Sequence, residues 1–190
     1  MYNKEILHSA EIKFYKNNGY LVKKELISKN IINKINQKVK NLLLDKKQEK
    51  YFEFLKFGNK KYCVRLLNPH RVDQVFSNIL KDKKIIHIVN TLLGGSTRFH
   101  HSKLNFKPPS SKAGLVDWHQ DWSFYPHTND DLIAIGIYLE DCFEQNGPLK
   151  VIPGSHKLKI FNHHQNGYFV DYSIIKKNEN AYKTIGEVAK

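Results

Sequence analysis

The apolar residues of this 190-residue chain follow a helical spacing in the first half and a strand-like spacing in the second. Three helices are predicted in the first half: Lys4–Asn17 with a stop signal at Asn17-Asn18-Gly19, a helix capped by Ser28, and Val72–Leu93 closed by Gly94-Gly95. The second of these has an apolar face made of Ile31, Ile32, Ile35, Val39, Leu42 and Leu43. The first half is therefore predicted to be mainly helical, with one short strand at Tyr20-Leu21-Val22.

Strand patterns dominate after residue 95. Arg98–Lys107 alternates between two faces and stops at Pro108-Pro109, and Leu132–Leu139 is a continuous apolar run that favours a strand buried on both faces. A short strand over Leu149–Ile152 is predicted between the turn signals Asn146-Gly147-Pro148 and Pro153-Gly154. Helices followed by antiparallel strands are typical of an α+β domain built around a β-sandwich or barrel.

Length and composition indicate one domain, residues 1–190, since 41% hydrophobic residues can form one sizeable core. The net charge is +13, but it comes from 28 Lys and only three Arg, spread along the chain. Nucleic-acid recognition favours Arg and clustered basic stripes, so we expect a solvated lysine surface and no nucleic-acid partner. Cys63 and Cys142 form no metal-type spacing, and neither a signal peptide nor a membrane-spanning run is present, which favours a cytoplasmic location.

The segment Trp118-His119-Gln120-Asp121-Trp122 contains the candidate metal ligands. His-x-Asp is the spacing with which many non-haem iron enzymes present two of three ligands, the third being a distant histidine. The two tryptophans are the only ones in the chain, and aromatic walls would exclude water from a metal. The tripeptide also occurs by chance, and the spacing alone allows His119 and Asp121 to be an ordinary hydrogen-bonded pair at a strand edge.

Further segments extend the motif, and together they resemble the phytanoyl-CoA dioxygenase family. These segments are Phe124-Tyr125-Pro126, Asp131-Leu132-Ile133-Ala134, Asn146-Gly147-Pro148-Leu149-Lys150-Val151-Ile152-Pro153-Gly154-Ser155-His156-Lys157, and near the N-terminus Phe14-Tyr15 with Asn18-Gly19-Tyr20-Leu21-Val22. The resemblance implies a double-stranded β-helix, or cupin-like jelly roll, over residues 96–190 behind a mainly helical region over residues 1–95. It also implies an Fe(II)- and 2-oxoglutarate-dependent dioxygenase that uses O2 to hydroxylate a small organic or acyl substrate.

The same resemblance assigns roles to individual residues. His119 and Asp121 would be iron ligands, and His101 and Gln120 would lie at the 2-oxoglutarate site. Arg65 matches a basic position that can approach the co-substrate. Taken on its own, His101 could equally be a satisfied core histidine, whereas for Arg65 a surface charge is the favoured interpretation.

Two features of the family pattern are not found: the distal histidine within Gly-Asp…His-x-Ser, and the later Arg that pairs with 2-oxoglutarate. His127 follows the motif too closely to be the third ligand, His156 matches a position that is not a ligand, and His163 and His164 are expected on a polar surface loop. The resemblance therefore predicts a fragment whose barrel is incomplete at the C-terminus and whose own turnover is doubtful. The alternatives are a non-catalytic cupin-like protein that binds a small molecule and, less favoured, a basic nucleic-acid-binding module. Neither the substrate nor the oligomeric state can be deduced from these residues.

Overall fold

Five α-helices lie in the described part of the first half of the chain. The computed structural model describes residues 6–108, 116, 118–160, 163–165, 168–169 and 183–184. The helices in this part are α1 (Ser9–Asn18), α2 (Lys29–Leu44), α3 (Pro69–Val72), α4 (Gln74–Leu80) and α5 (Lys83–Leu93). Ser28 caps α2 by accepting a hydrogen bond from the Ile31 amide, and Gly94 ends α5 in the left-handed conformation, as predicted.

The predicted single helix over Val72–Leu93 is wrong, because two aspartates interrupt it. Asp73 is extended and its carboxylate accepts from the Val75 amide, which starts α4. Asp82 likewise accepts from the amides of Lys84 and Ile85 and starts α5. Aspartate side chains compete with the helical backbone for amide hydrogens, so they cap helices in places where apolar spacing alone predicts continuation.

A β-hairpin and one added strand form the main sheet. The strands are β1 (Phe52–Phe57), β2 (Lys60–Leu67) and β3 (Lys103–Asn105), all antiparallel in the order β1-β2-β3. Gly58, with φ of 58°, makes the turn between β1 and β2. This hairpin was not predicted, and it shows that the first half is less helical than its spacing suggested.

The core lies between α2, the sheet and α4. Ile35 and Val39 of α2 pack with Leu66 of β2, and Ile35 and Leu66 are almost completely buried. A second cluster joins α5 to the segment before α1 and contains Leu7, Ile88 and Leu92. Burial of these side chains supplies the main free energy that holds the helices on the sheet.

Shorter strands follow β3. They are β4 (Lys150–Val151), β5 (His164–Gln165), β6 (Tyr168–Phe169) and β7 (Lys183–Thr184), with β4 paired to β7 and β5 paired to β6, both antiparallel. The strand predicted over Leu149–Ile152 is confirmed in its central two residues. The strand predicted over Arg98–Lys107 is shorter than expected, since only Lys103–Asn105 pair with β2.

Two strand predictions are wrong in this structure. Tyr20-Leu21-Val22 is not part of a strand. Leu132–Leu139 forms no ladder and is not buried on both faces, with Ile135 52% exposed and Tyr138 38% exposed. An apolar run becomes a strand only when a neighbour satisfies its backbone, and here the Asn36 amide donates to the Leu139 carbonyl oxygen at 2.8 Å.

The C-terminal end of α1 is held by a loop from the opposite end of the sequence. Gly19 ends α1 in the left-handed conformation, and the Gly154 amide donates to the Asn18 carbonyl at 2.8 Å. The His156 ring lies 3.1 Å from the Lys16 carbonyl oxygen through Nε2. The Pro153-Gly154-Ser155-His156 turn thus satisfies carbonyl groups that a helix end leaves without partners.

Asp73 links α2 to α4 and gives the fold a pH-dependent contact. Its carboxylate lies 2.5 Å from Lys38 Nζ. Partial burial raises the pKa of Asp73, but hydrogen bonds from Lys38 and the Val75 amide outweigh it and leave the pKa below its ordinary value. A carboxylate with a lowered folded-state pKa stabilises the fold above its unfolded-state pKa, and this contribution disappears as the pH falls through the folded-state value.

We expect Asp73→Ala to lower the free energy of unfolding by about 1–2 kcal/mol at pH 7, because it removes a helix cap and an ion pair. Asp73→Asn keeps the side-chain cap of α4 and should lower the free energy of unfolding by a smaller amount. The difference in the free energy of unfolding between wild type and Asp73→Asn, measured with urea, should become smaller from pH 7 towards pH 3. Asp82→Asn, at the cap of α5, is the matched control. An Asp73→Asn effect that stays constant across this pH range would contradict the proposed role of the charge.

No helix in the described part of the chain is long and apolar enough to cross a membrane. The expected cytoplasmic location stays a prediction.

Candidate metal centre

The His-x-Asp motif lies where an extended segment changes into a single helical turn. Gln120 is extended, and Asp121–Ser123 form one turn of 3₁₀ helix. The Asp121 carbonyl oxygen accepts from the amides of Phe124 and Tyr125, at 3.0 and 3.2 Å. The turn therefore fixes the backbone of Asp121 and places the two aromatic residues beside the motif.

His119 and Asp121 point at each other. Nε2 of His119 lies 3.3 Å from Oδ1 of Asp121. The hydrogen bond from His119 holds the pKa of Asp121 below its ordinary value despite the opposing effect of burial, and the charges of His119, Lys103 and His101 act in the same direction. Asp121 is therefore ionised at neutral pH, which is the form that binds a metal.

The pair fits an Fe(II) site in chemistry and spacing. Imidazole and carboxylate are two of the three ligands in the facial triad of non-haem iron enzymes. Two ligands about 2.1 Å from one metal ion, and at right angles to each other, lie roughly 3 Å apart. The Phe124 ring stands edge-on to His119, with 5.3 Å between centroids, and shields one side of the imidazole. The Trp122 indole donates to the Asn129 carbonyl at 3.2 Å and fixes the following loop.

His101, on the segment that leads into β3, lies close to the motif. Its pKa is lowered by desolvation and by the charges of His100 and Lys103, while Asp121 acts in the opposite direction. The His101 ring packs on Tyr125, with centroids 4.3 Å apart. The structure therefore brings His101 to the neighbourhood of Asp121, although the two residues are far apart in sequence. A contact with the co-substrate stays a prediction.

Further imidazoles lie around His100 and His101, and of these the sequence had singled out only His127, as a candidate third ligand. Nδ1 of His100 lies 2.7 Å from Nδ1 of His101, and the His100 ring is 5.1 Å from the His127 ring. Nδ1 of His70, the second residue of α3, lies 2.6 Å from the Ser102 hydroxyl, and the His70 ring packs edge-on against Phe99. Sequence spacing could not have found this group, since its members come from three separate segments.

Gln120 connects the motif to the segment after β4. Its side-chain amide donates to the Lys159 carbonyl at 3.2 Å, and its backbone amide donates to Nε2 of His163 at 3.2 Å. His163 is 1% exposed, so the expectation of a surface residue was wrong. It acts as an internal acceptor that holds the backbone of the metal motif. Whether Gln120 also meets a co-substrate stays a prediction.

Arg65 lies on β2 and is engaged by its sheet neighbours. Its guanidinium donates to the Glu53 carboxylate at 2.6 Å and to the Asn105 side-chain oxygen at 3.3 Å. Asn105 and Lys103 both belong to β3, opposite Arg65 and Leu67 of β2. Because residues two apart share a face of a strand, Arg65, Asn105 and Lys103 lie on one face of the sheet. The predicted role of Arg65 towards the co-substrate remains a prediction.

The described residues contain no group of three or more His, Cys, Asp or Glu side chains that could hold a metal ion. His127 packs on His100 and His156 on the end of α1. The side chain of His164 lies outside the described residues.

The model of the family Phytanoyl-CoA dioxygenase (PhyH) matches residues 15–185. The chain belongs to this family. This confirms the resemblance drawn from the motif and its flanking segments, all of which except Phe14 lie within the matched range. Membership makes the chain an oxygenase-family protein, and the role of His119 and Asp121 as iron ligands stays a prediction.

Three curated relatives illustrate the range of the family. A probable alpha-ketoglutarate-dependent hypophosphite dioxygenase of Stutzerimonas stutzeri is 45% identical over 54% of this chain and 35% of its own length. An ectoine dioxygenase of Streptomyces avermitilis is 23% identical over 78% of this chain and 52% of its own. An L-proline trans-4-hydroxylase of Streptomyces griseoviridis is 29% identical over 77% of this chain and 54% of its own length. The chain thus spans about a third to a half of the length of these relatives.

A solved structure shows the same fold. The crystal structure of EctD from S. alaskensis with bound Fe aligns with a TM-score of 0.65 and 21% sequence identity, over 82% of this chain and 57% of that chain. This supports the predicted combination of helices and a β-sheet, in the fold that EctD has.

Proposed function

We propose that the chain forms the N-terminal and central part of a single-domain Fe(II)- and 2-oxoglutarate-dependent dioxygenase that hydroxylates a small molecule. The paired His119 and Asp121, 3.3 Å apart, carry this proposal. We propose that the short strands after β3 belong to a double-stranded β-helix, and that the third iron ligand comes from outside the described residues. The three relatives are named for small, polar substrates, which supports a substrate of that size.

In this proposal His119 and Asp121 hold the metal, and His101, Gln120 and Arg65 face the co-substrate. With iron bound, the centre supplies dioxygen activation coupled to oxidative decarboxylation of 2-oxoglutarate to succinate. The protein contributes orientation and exclusion of water. Phe124 covers one side of the His119 ring, and His163 holds the Gln120 backbone so that both ligands keep their directions.

The test measures the affinity of the chain for 2-oxoglutarate with and without Fe(II), by isothermal calorimetry in the absence of oxygen. We expect Fe(II) to raise the affinity of the chain for 2-oxoglutarate by about tenfold or more, since a chelating ligand binds the metal directly. With oxygen present, succinate formation should be slow, because two protein ligands hold Fe(II) weakly. Affinity that is the same with and without Fe(II) would contradict the proposal and favour the non-catalytic binding protein. Fast succinate formation abolished by His119→Ala would show that the described ligands suffice.

A further inference from the structure

One short segment, residues 153–160, touches both the end of α1 and the metal motif. Its first half docks on the C-terminal end of α1, where Gly154 and His156 donate hydrogen bonds to helix carbonyl oxygens. Farther along, the Lys159 carbonyl oxygen accepts from the Gln120 side chain at 3.2 Å. We call residues 153–160 the strap, because they join a helix end to the residue that stands between the two candidate metal ligands.

The strap is short and internally bonded between its two attachment points. Ser155–Lys157 form one turn of 3₁₀ helix, which the Leu158 amide closes by donating to the Ser155 carbonyl oxygen at 3.1 Å. Three residues span at most about 11 Å even when they are fully extended, and a helical turn spans less. The position of His156 on α1 therefore limits where the Lys159 carbonyl oxygen can lie.

His163 makes a second attachment to Gln120. Its Nε2 accepts from the Gln120 backbone amide at 3.2 Å, and the side chain is 1% exposed, so water does not compete for this bond. The amide belongs to the planar peptide group that joins His119 to Gln120. Holding that group limits rotation of the backbone on both of its sides, and with it the directions of the His119 and Asp121 side chains.

We infer that His163 and the strap set the directions of the two candidate metal ligands, and that His156, docked on α1, is a remote positioning residue of the same centre. This inference rests on the proposed function and deepens it, because it assigns positioning residues to that centre. His163 acts through the Gln120 backbone, and His156 acts through Lys159 and the Gln120 side chain. A motif that is held in place before the metal arrives loses less entropy when it binds.

The first test compares two replacements of His163 by titration with Co(II), which stands in for Fe(II) and absorbs visible light. We expect His163→Leu to lower the affinity for Co(II) by about tenfold or more, as loss of an outer partner of metal ligands does. His163→Gln should stay within about threefold of the wild type, because its amide oxygen accepts the same hydrogen bond. The visible spectrum of bound Co(II) should change in His163→Leu alone, since it reports the geometry of the ligands.

The second test concerns the remote end of the strap. We expect His156→Ala to lower the affinity for Co(II) by about three- to tenfold, although this residue lies on α1. Gly94→Ala is the matched control, because it strains the end of α5 and its Cβ meets no atom within 4 Å. It should lose stability and still bind Co(II) as the wild type does. All affinities are measured at a temperature where circular dichroism shows each variant folded.

The third test needs no metal. In ¹H–¹⁵N NMR spectra of the metal-free protein, the Gln120 backbone amide signal should move in His163→Leu and in His156→Ala, because both lose a bond that holds this residue. It should stay in place in Gly94→Ala.

The inference is overturned if the wild type does not bind Co(II), or if His163→Leu binds Co(II) as the wild type does. Equal losses in His163→Leu and His163→Gln would also overturn it, because the accepted hydrogen bond would then not be the cause. An unchanged Co(II) affinity and an unmoved Gln120 signal in His156→Ala would refute the remote role of the strap. Failure of the proposed function is measured separately, by the Fe(II)-dependent affinity for 2-oxoglutarate. Co(II) binding that depends on both His119 and His163 supports the inference whatever that second measurement gives.

Discussion

Replacing Asp121 with alanine should lower the affinity of the chain for Co(II), a stand-in for Fe(II), by about 100-fold or more. Loss of a single outer partner of a metal ligand already costs about 10–100-fold, and here one of two described ligands is removed. His119→Ala should have an effect of the same size. The measurement is a Co(II) titration followed by visible absorption, at a pH of about 7.5 where the ligands are deprotonated.

Matched controls separate this site from adventitious binding by surface groups. Asp130→Ala removes an exposed carboxylate from the loop after the motif, and His87→Ala removes an exposed imidazole from α5. Both should bind Co(II) as the wild type does. Equal affinity in the wild type and both ligand variants would refute the metal centre, and His119 and Asp121 would then be an ordinary hydrogen-bonded pair.

Replacing Gly19 with alanine should destabilise the fold by about 2–3 kcal/mol. A left-handed backbone costs a non-glycine residue about 1–2 kcal/mol, and Gly19 has φ of 79°. A Cβ at this position would also lie 2.9 Å from Cβ of His156 and closer still to its ring. The ring must move, and its hydrogen bond to the Lys16 carbonyl, a contact worth about 1 kcal/mol, is lost.

Gly94 gives a control with the same backbone but open space. It ends α5 with φ of 75°, and a Cβ there meets no atom within 4 Å. Gly94→Ala should therefore lower the free energy of unfolding in urea only by the backbone strain, about 1–2 kcal/mol. In a His156→Ala background the cost of Gly19→Ala should shrink towards that value. If Gly19→Ala costs no more than Gly94→Ala in the wild type, the loop of His156 does not hold α1.

The sequence predicted well those parts that depend on neighbouring residues. The Ser28 cap, the glycine ends of α1 and α5 and the turn around Gly147 are local, because each depends on hydrogen bonds or φ values within a few residues. Periodicity failed over Val72–Leu93, where side chains of Asp73 and Asp82 outcompeted the helical backbone. It also failed over Leu132–Leu139, since a strand needs a partner that local spacing cannot supply.

The family could be predicted because three positions in a row and their flanking segments carry the information, and the assignment of His119 and Asp121 as metal ligands stays a prediction. The surroundings of the motif could not. His163 was expected at the surface and is buried under the Gln120 amide, while Lys103 and His100 had no predicted role. These residues come from different segments, and only the course of the chain decides which of them meet.

The sequence by itself determined the family of the chain and predicted His119 and Asp121 as iron ligands, because the spacing of the motif and its flanking turns is a local property. The tertiary structure alone decided what faces that pair and what closes α1. His156 reaches Lys16 across 140 residues, and His163 accepts a hydrogen bond from the Gln120 amide across 43 residues, because the packing of loops and helices places distant residues together. Such contacts depend on topology, which spacing along the chain does not encode.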